Sequence, residues 1–64
     1  MEGFVTDFVS IFEFAVGSQV VHTDGNTVFD GGAPEDIALG VRLEVKGKLE
    51  GNILVADKVS FEDV

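Results

Sequence analysis

The strongest constraint on the fold is an alternation of apolar and charged residues in the second half of the chain. Six consecutive residues follow this pattern: Val41, Arg42, Leu43, Glu44, Val45 and Lys46. A period of two is typical of a β-strand with one buried and one solvated face. The apolar face of this strand must be buried in a single small core, because 64 residues are too few for two domains. The chain has no cysteine, so no disulfide can stabilise the fold in place of that core.

Other stretches of the chain also have the composition of strands. They are rich in Phe, Val and Ile and are separated by turn residues such as Gly17–Ser18 and Asp24–Asn26, and they cover residues 4–9, 12–16, 19–23 and 53–61. Residues 27–29 are also predicted to be extended, but they are not counted as a strand. The sequence therefore predicts five strands.

One short helical turn is predicted between the third and fourth of these strands. Pro34 is suited to the first position of a helix, and Glu35 and Asp36 suit its positive end. Gly40 ends the segment after little more than one turn, with Ile37 pointing into the core. The order of three strands, a helical turn and two strands is that of a five-stranded OB-like barrel, with an open meander as the alternative. The fold class is all-β.

The pairing of the last two strands depends on the length of the loop between them. A three-residue loop, Glu50–Asn52, places apolar residues opposite apolar residues and acid opposite base. A two-residue loop would place Glu44 against Val59 and mix the faces. We therefore expect the pairs Leu43 with Val59, Val41 with Phe61 and Glu44 with Lys58.

The predicted core leaves several apolar side chains unused. We expect the core to include Val5, Phe12, Phe14, Val16, Val21, Ile37, Val41, Leu43, Val45, Val59 and Phe61. Phe4, Phe8 and Val20 fall on the other faces of their strands, which predicts an exposed patch covered by a second copy or by a neighbouring domain. In the alternative interpretation, a bulge near Gly3 or Asp7 turns both faces inward.

The charge of the chain argues against nucleic-acid binding. Twelve acidic and four basic residues give a net charge of -8. The strands that would form the binding face of an OB barrel, 11–16 and 19–23, contain no Lys or Arg. We expect no nucleic-acid partner and a preference for basic protein surfaces. The longest apolar run, Ile53–Ala56, is too short for a membrane span, and residues 1–9 lack the basic start of a secretory signal.

Four acidic residues are candidate metal ligands. Asp24, Asp30, Glu35 and Asp36 precede the fourth predicted strand and could bind Ca²⁺ if they approached one another. Their spacing differs from that of a dedicated calcium loop. Asp24 and Asp30 are more simply interpreted as turn-forming residues, and Glu35 and Asp36 as acidic residues at the start of the helical turn.

No set of residues predicts catalysis. His22 is the only histidine, and a triad would have to combine it with Asp24 and one of the serines. Alternation places the His22 side chain on the face opposite Val21 and Thr23, towards solvent. We therefore expect a non-catalytic domain that uses no cofactor.

Four segments of the sequence resemble a known family. The segments are EGFVT (2–6), TVFDGG (27–32), DIALGVRLEVKG (36–47) and LVA (54–56), and in order and spacing they resemble the bacterial family Domain of Unknown Function 5666. The resemblance implies a small OB-like barrel, found singly or in tandem in exported bacterial proteins and lipoproteins. It therefore implies a periplasmic, outer-envelope or secreted location, and it supplies no catalytic motif.

These observations lead to one functional hypothesis. We expect residues 1–64 to form a single domain of a longer protein that binds a protein partner or a neighbouring domain, with weak self-association. The alternative is a domain that binds a small ligand or Ca²⁺ through the acidic segment 24–36.

Overall fold

The protein is an all-β domain in the computed structural model, which describes residues 1–62. The six strands are β1 (Glu2–Ser10), β2 (Glu13–Val16), β3 (Gln19–His22), β4 (Val28–Asp30), β5 (Arg42–Glu50) and β6 (Ile53–Phe61). One 3₁₀ turn, Pro34–Asp36, lies between β4 and β5, and the described residues contain no α-helix.

Five of the strands close into a barrel. β1 pairs antiparallel with β2 and β5, and the pairs β2–β3 and β5–β6 are also antiparallel. The parallel pair β3–β6 closes the ring. This is the strand order of an OB-type barrel, so the predicted fold is confirmed. β4 was predicted only as an extended segment, and it adds a sixth strand by pairing parallel with the second half of β6.

The predicted register of the last hairpin is wrong. Glu50 pairs with Ile53, so the loop has two residues, Gly51 and Asn52. The consecutive residues Lys46 and Gly47 pair with Lys58 and Ala56, which makes Asp57 an extra residue in β6. This bulge restores the match of apolar faces that a plain two-residue loop would lose, and the observed pairs are Leu43 with Phe61, Val45 with Val59 and Glu44 with Ser60.

Gly47 allows the two strands to approach closely beside the bulge. A Cβ at this position would lie 2.0 Å from the Val55 carbonyl oxygen and 2.9 Å from the Ala56 Cα. Real Cβ atoms do not approach backbone atoms this closely. The bulge therefore requires glycine opposite Ala56.

The core agrees with most of the sequence prediction. The buried apolar residues are Val5, Phe14, Val16, Val21, Ile37, Leu43, Val45, Leu54, Ala56 and Val59. Val41 and Phe61 are only partly buried, and Leu54 and Ala56 were missed. Phe12 was predicted to be buried but is 57 % exposed, because it lies in the turn between β1 and β2 and not in a strand.

The 3₁₀ turn brings Ile37 into the core. The Asp36 carboxylate accepts a hydrogen bond of 2.9 Å from the Ala33 N–H, and the Ile37 N–H donates to the Pro34 carbonyl over 3.1 Å. Gly40 follows with a φ of 84°, a conformation that favours glycine. Its N–H donates to the Val5 carbonyl, which ties this connection to β1.

Candidate functional site

The predicted calcium ligands each lie in a separate local arrangement. Asp24 accepts a hydrogen bond from the Asn26 N–H over 2.8 Å, as a turn-forming aspartate does. Asp30 lies 3.9 Å from the Lys58 ammonium, and Asp36 caps the 3₁₀ turn. Glu35 is exposed on that turn. Within residues 1–62, no group of three or more His, Asp or Glu side chains is placed to hold a metal ion.

His22 lies opposite Glu13 on the neighbouring strand. Its Nε2 is 3.5 Å from a Glu13 carboxylate oxygen, and both side chains are partly exposed. The pair is a cross-strand contact at the surface of the β2–β3 hairpin. This pair differs from the Ser–His–Asp triad considered above, in which His22 would combine with Asp24 and a serine.

The three predicted interaction residues are all solvent-accessible, but Phe8 lies on a different face of the sheet from Phe4 and Val20. Phe4 is 51 % exposed and lies opposite Arg42, whose guanidinium carbon is 5.8 Å from the ring centroid. Phe8 is 38 % exposed and lies opposite the buried Phe14. Val20 is 36 % exposed and pairs with Ala15. A register shift in β1 between Val5 and Asp7 accounts for this, since one extra residue puts positions 4 and 8 on opposite faces.

Three exposed apolar side chains lie near the place where β1 meets β2. Phe8, Val9 and Phe12 are 38 %, 65 % and 57 % exposed, and we call these three residues the apolar tip. The sequence prediction included Phe8 and missed the other two. Val9 is extruded by a second register shift, between Phe8 and Ser10, and Phe12 lies in the turn.

Hydrogen bonds fix the backbone of the apolar tip. Thr23, which is buried, donates its N–H to the Phe12 carbonyl over 3.0 Å and its hydroxyl to the Ile11 carbonyl over 2.8 Å. The Phe12 N–H donates to the Ser10 hydroxyl over 3.1 Å. The turn is therefore tied to the end of β3, and it presents its apolar side chains from a fixed position.

A groove of about 520 Å³ lies near the other end of β1. It forms where the β5–β6 hairpin extends past the barrel, and its walls come from three separate parts of the chain. The lining residues are Met1, Gln19, Val45, Lys46, Gly47, Leu49 and Leu54. Val45 and Leu54 are buried at its base, whereas Leu49 is 64 % exposed.

A charged cluster joins β1 to the ends of β5 and β6. Arg42 lies 3.4 Å from Glu2 and 3.5 Å from Glu62. A hydrogen bond to Glu62 and the charge of Arg42 lower the pKa of Glu2. The same hydrogen bond, with desolvation and the Glu2 charge, raises the pKa of Glu62.

The comparisons with known proteins identify the family. A model described as a domain of unknown function, DUF5666, matches residues 2–60. The chain belongs to the DUF5666 family. Comparison with curated proteins and with solved structures gives no significant match.

The family match covers nearly all of the barrel of this DUF5666 domain. It includes the whole apolar tip and every residue of the groove except Met1. Over residues 1–62, the domain has no helix long and apolar enough to cross a membrane.

Proposed function

We propose that this DUF5666 domain is a non-catalytic protein-interaction module of a bacterial protein that is exported or associated with the cell envelope. The bacterial and envelope setting follows from the sequence resemblance alone. The interaction role rests on the apolar tip, in which Phe8, Val9 and Phe12 expose apolar surface from a fixed turn.

The size of the apolar tip supports a functional surface. With a fully exposed Phe taken as roughly 200 Å² and a Val as about 150 Å², the three side chains expose roughly 300 Å². A patch of this size is comparable to the largest apolar patch on a typical soluble monomer, and such patches are often functional. It is small compared with a stable interface, so the tip would form part of a larger contact or a transient one.

The charge around the apolar tip indicates the kind of partner. Asp7 and Glu13 flank it on β1 and β2, and the chain as a whole carries a net charge of -8. A protein surface with an apolar centre and a basic rim is complementary to this arrangement. The attraction should weaken as salt rises, because the flanking charges are exposed.

The test compares the protection of segment 8–12 in two settings by hydrogen–deuterium exchange. One setting is the 64-residue chain at low and high concentration, and the other is the full-length protein that contains it. We expect protection to increase at high concentration if a second copy covers the tip, or in the full-length protein if a neighbouring domain does. Equal exposure of segment 8–12 in all settings would contradict the proposal.

Two variants show whether any gain in protection depends on the tip itself. Phe12→Ser should abolish the gain in protection. Leu39→Ser removes a side chain of similar exposure, 66 %, elsewhere on the surface, and it should leave the gain in protection unchanged. Sedimentation velocity over the same concentration series separates self-association from contact with a neighbouring domain.

A further inference from the structure

We propose that Asp24 is a site of spontaneous isomerisation to isoaspartate, and that this modification loosens the turn that holds the apolar tip. The modification itself stands on the geometry of residues 24–27 alone. Its consequence for binding rests on the function proposed for the tip, because the tip presents its side chains from a fixed position only while that turn is intact.

The reaction is an attack of the backbone on the aspartate side chain. The nitrogen of the following residue bonds to the side-chain Cγ, and a water molecule leaves, which gives a five-membered succinimide ring. Water then adds to one of the two carbonyl carbons of the ring. When the bond between the nitrogen and the α-carbonyl carbon breaks, isoaspartate forms, and the main chain runs through Cβ and Cγ. The mass is unchanged, and water is the only other reactant.

Two aspartates in the chain are followed by glycine. They are Asp24, before Gly25 in the connection between β3 and β4, and Asp30, before Gly31 at the end of β4. Glycine has no Cβ that could hinder the approach of its nitrogen to the aspartate side chain. The two pairs have the same local sequence, so any difference in their reactivity comes from the fold.

The turn after β3 brings the reacting atoms of Asp24 and Gly25 together. The Asn26 N–H donates to Asp24 Oδ1 over 2.8 Å, which closes a small ring that contains both the Asp24 Cγ and the Gly25 nitrogen. Two reacting groups that are held close together react faster than two groups that must first find each other. A Cβ built on Gly25 meets nothing within 4 Å, so the turn has room to form the succinimide.

The second pair, Asp30 and Gly31, is held by the sheet. Asp30 pairs with Ser60 in the ladder between β4 and β6. Gly31 has a φ of 79°, and a Cβ built on it would lie 3.1 Å from the Phe61 carbonyl oxygen. A succinimide at this position requires the end of β4 to move away from β6. We therefore expect Asp30 to isomerise much more slowly than Asp24.

Isomerisation of Asp24 removes hydrogen bonds that shape the turn. The Thr27 N–H donates to the Asp24 carbonyl over 3.1 Å, and the Asp24 N–H donates to the Thr27 hydroxyl over 3.0 Å. In isoaspartate that carbonyl belongs to a carboxylate on a side branch, and the main chain is one carbon longer. The preceding residue is Thr23, whose N–H and hydroxyl hold the backbone of the apolar tip. The modification therefore weakens the attachment of the tip to β3.

The experiment ages the folded 64-residue chain in buffer and measures isoaspartate at each site by enzymatic methylation and peptide mapping. A second sample is aged in guanidinium chloride, where the chain is unfolded. In the folded chain we expect isomerisation at Asp24 to be at least about tenfold faster than at Asp30, because reaction at Asp30 must break about two ladder hydrogen bonds. In the unfolded chain the two sites should react at similar rates, because both are followed by glycine.

A variant and an exchange measurement test the two parts of the proposal. Gly25→Ala places a methyl group beside the attacking nitrogen, so it should slow isomerisation at Asp24 and leave the rate at Asp30 unchanged. The isoaspartate form is then separated by ion-exchange chromatography and compared with unaged protein by hydrogen–deuterium exchange. We expect faster exchange at the Thr23 amide and in segment 8–12, whereas amides 42–45 of β5 should keep their protection.

Two results would overturn the assignment of the site. They are equal rates at Asp24 and Asp30 in the folded chain, and a folded chain that forms no isoaspartate at Asp24 while the unfolded chain does. Unchanged exchange at Thr23 and in segment 8–12 of the modified protein would overturn the link to the apolar tip. The proposed function fails by a separate result, equal exposure of segment 8–12 of the unmodified protein in all settings, so the two failures are distinguishable.

Discussion

Replacing Gly47 by alanine should destabilise the domain more than any other single-methyl addition at a glycine with an ordinary φ. The added Cβ would lie 2.0 Å from the Val55 carbonyl oxygen, whereas ordinary van der Waals contact begins at 3.4 Å. The contact is with backbone, so β5 and β6 must separate by more than 1 Å beside the bulge. No rotation of a side chain can relieve it.

The magnitude of this effect follows from two contributions. Overpacking costs about 1–3 kcal/mol. Separation of the strands weakens about two ladder hydrogen bonds, each contributing about 1 kcal/mol. The expected loss is therefore about 3–5 kcal/mol, against a total of roughly 3–10 kcal/mol for a domain of this length. Gly47→Ala should leave the domain marginally stable or unfolded.

The assay is urea denaturation followed by far-UV circular dichroism, because the chain contains no Trp or Tyr for fluorescence. Gly25→Ala is the matched control, since a Cβ there meets nothing within 4 Å and Gly25 has no positive φ. The control should change the free energy of unfolding by less than about 1 kcal/mol, in the stabilising direction if at all. A loss below about 1 kcal/mol for Gly47→Ala would refute the argument that the bulge requires glycine.

Three further predictions concern the core, the charged cluster and nucleic acid. Phe14→Ala should cost about 3–5 kcal/mol of stability by emptying a buried site, whereas Phe12→Ala should cost less than about 1 kcal/mol because its ring is 57 % exposed; urea denaturation compares them. Glu62→Gln mimics the protonated carboxyl. Because the folded state raises the pKa of Glu62, the stability that its protonated form contributes is lost as pH rises above the ordinary value of 4.5 and through the folded-state pKa. The thermal midpoint of the variant should therefore rise relative to that of the parent over this range; a difference that is constant with pH would contradict this. Single-stranded oligonucleotides should show no binding by fluorescence anisotropy at about 150 mM salt, since β2 and β3 carry no Lys or Arg; a submicromolar dissociation constant would contradict it.

Local patterns in the sequence predict the barrel because each strand and turn carries its own signal. The apolar runs, the turn residues between them, the alternation in residues 41–46 and the Pro34–Asp36 composition together predict the element order, except that β4 is predicted only as an extended segment. They do not determine register, because two arrangements satisfy the same matching of faces. A three-residue loop matches apolar residues directly, and the protein instead combines a two-residue loop with the extra residue Asp57.

The candidate sites were harder to predict than the fold. Phe12 continues the alternation of Phe14 and Val16 in the sequence, but the turn begins before β2 and removes Phe12 from the core. The groove combines Met1, Gln19 and the β5–β6 hairpin, which no local pattern connects. Both features depend on where strands end relative to the barrel, and alternation along a strand carries no information about that.

The way the barrel closes has a consequence for folding kinetics. The strands β1–β3 and the β5–β6 hairpin are each formed by local contacts, and both seams of the barrel, β1–β5 and β3–β6, join these two halves. Contacts across the seams span 44 residues between Met1 and Val45 and 33 between Gln19 and Asn52. We therefore expect pairing of the two halves along both seams to limit the folding rate, because it requires closure of the connection through residues 23–41.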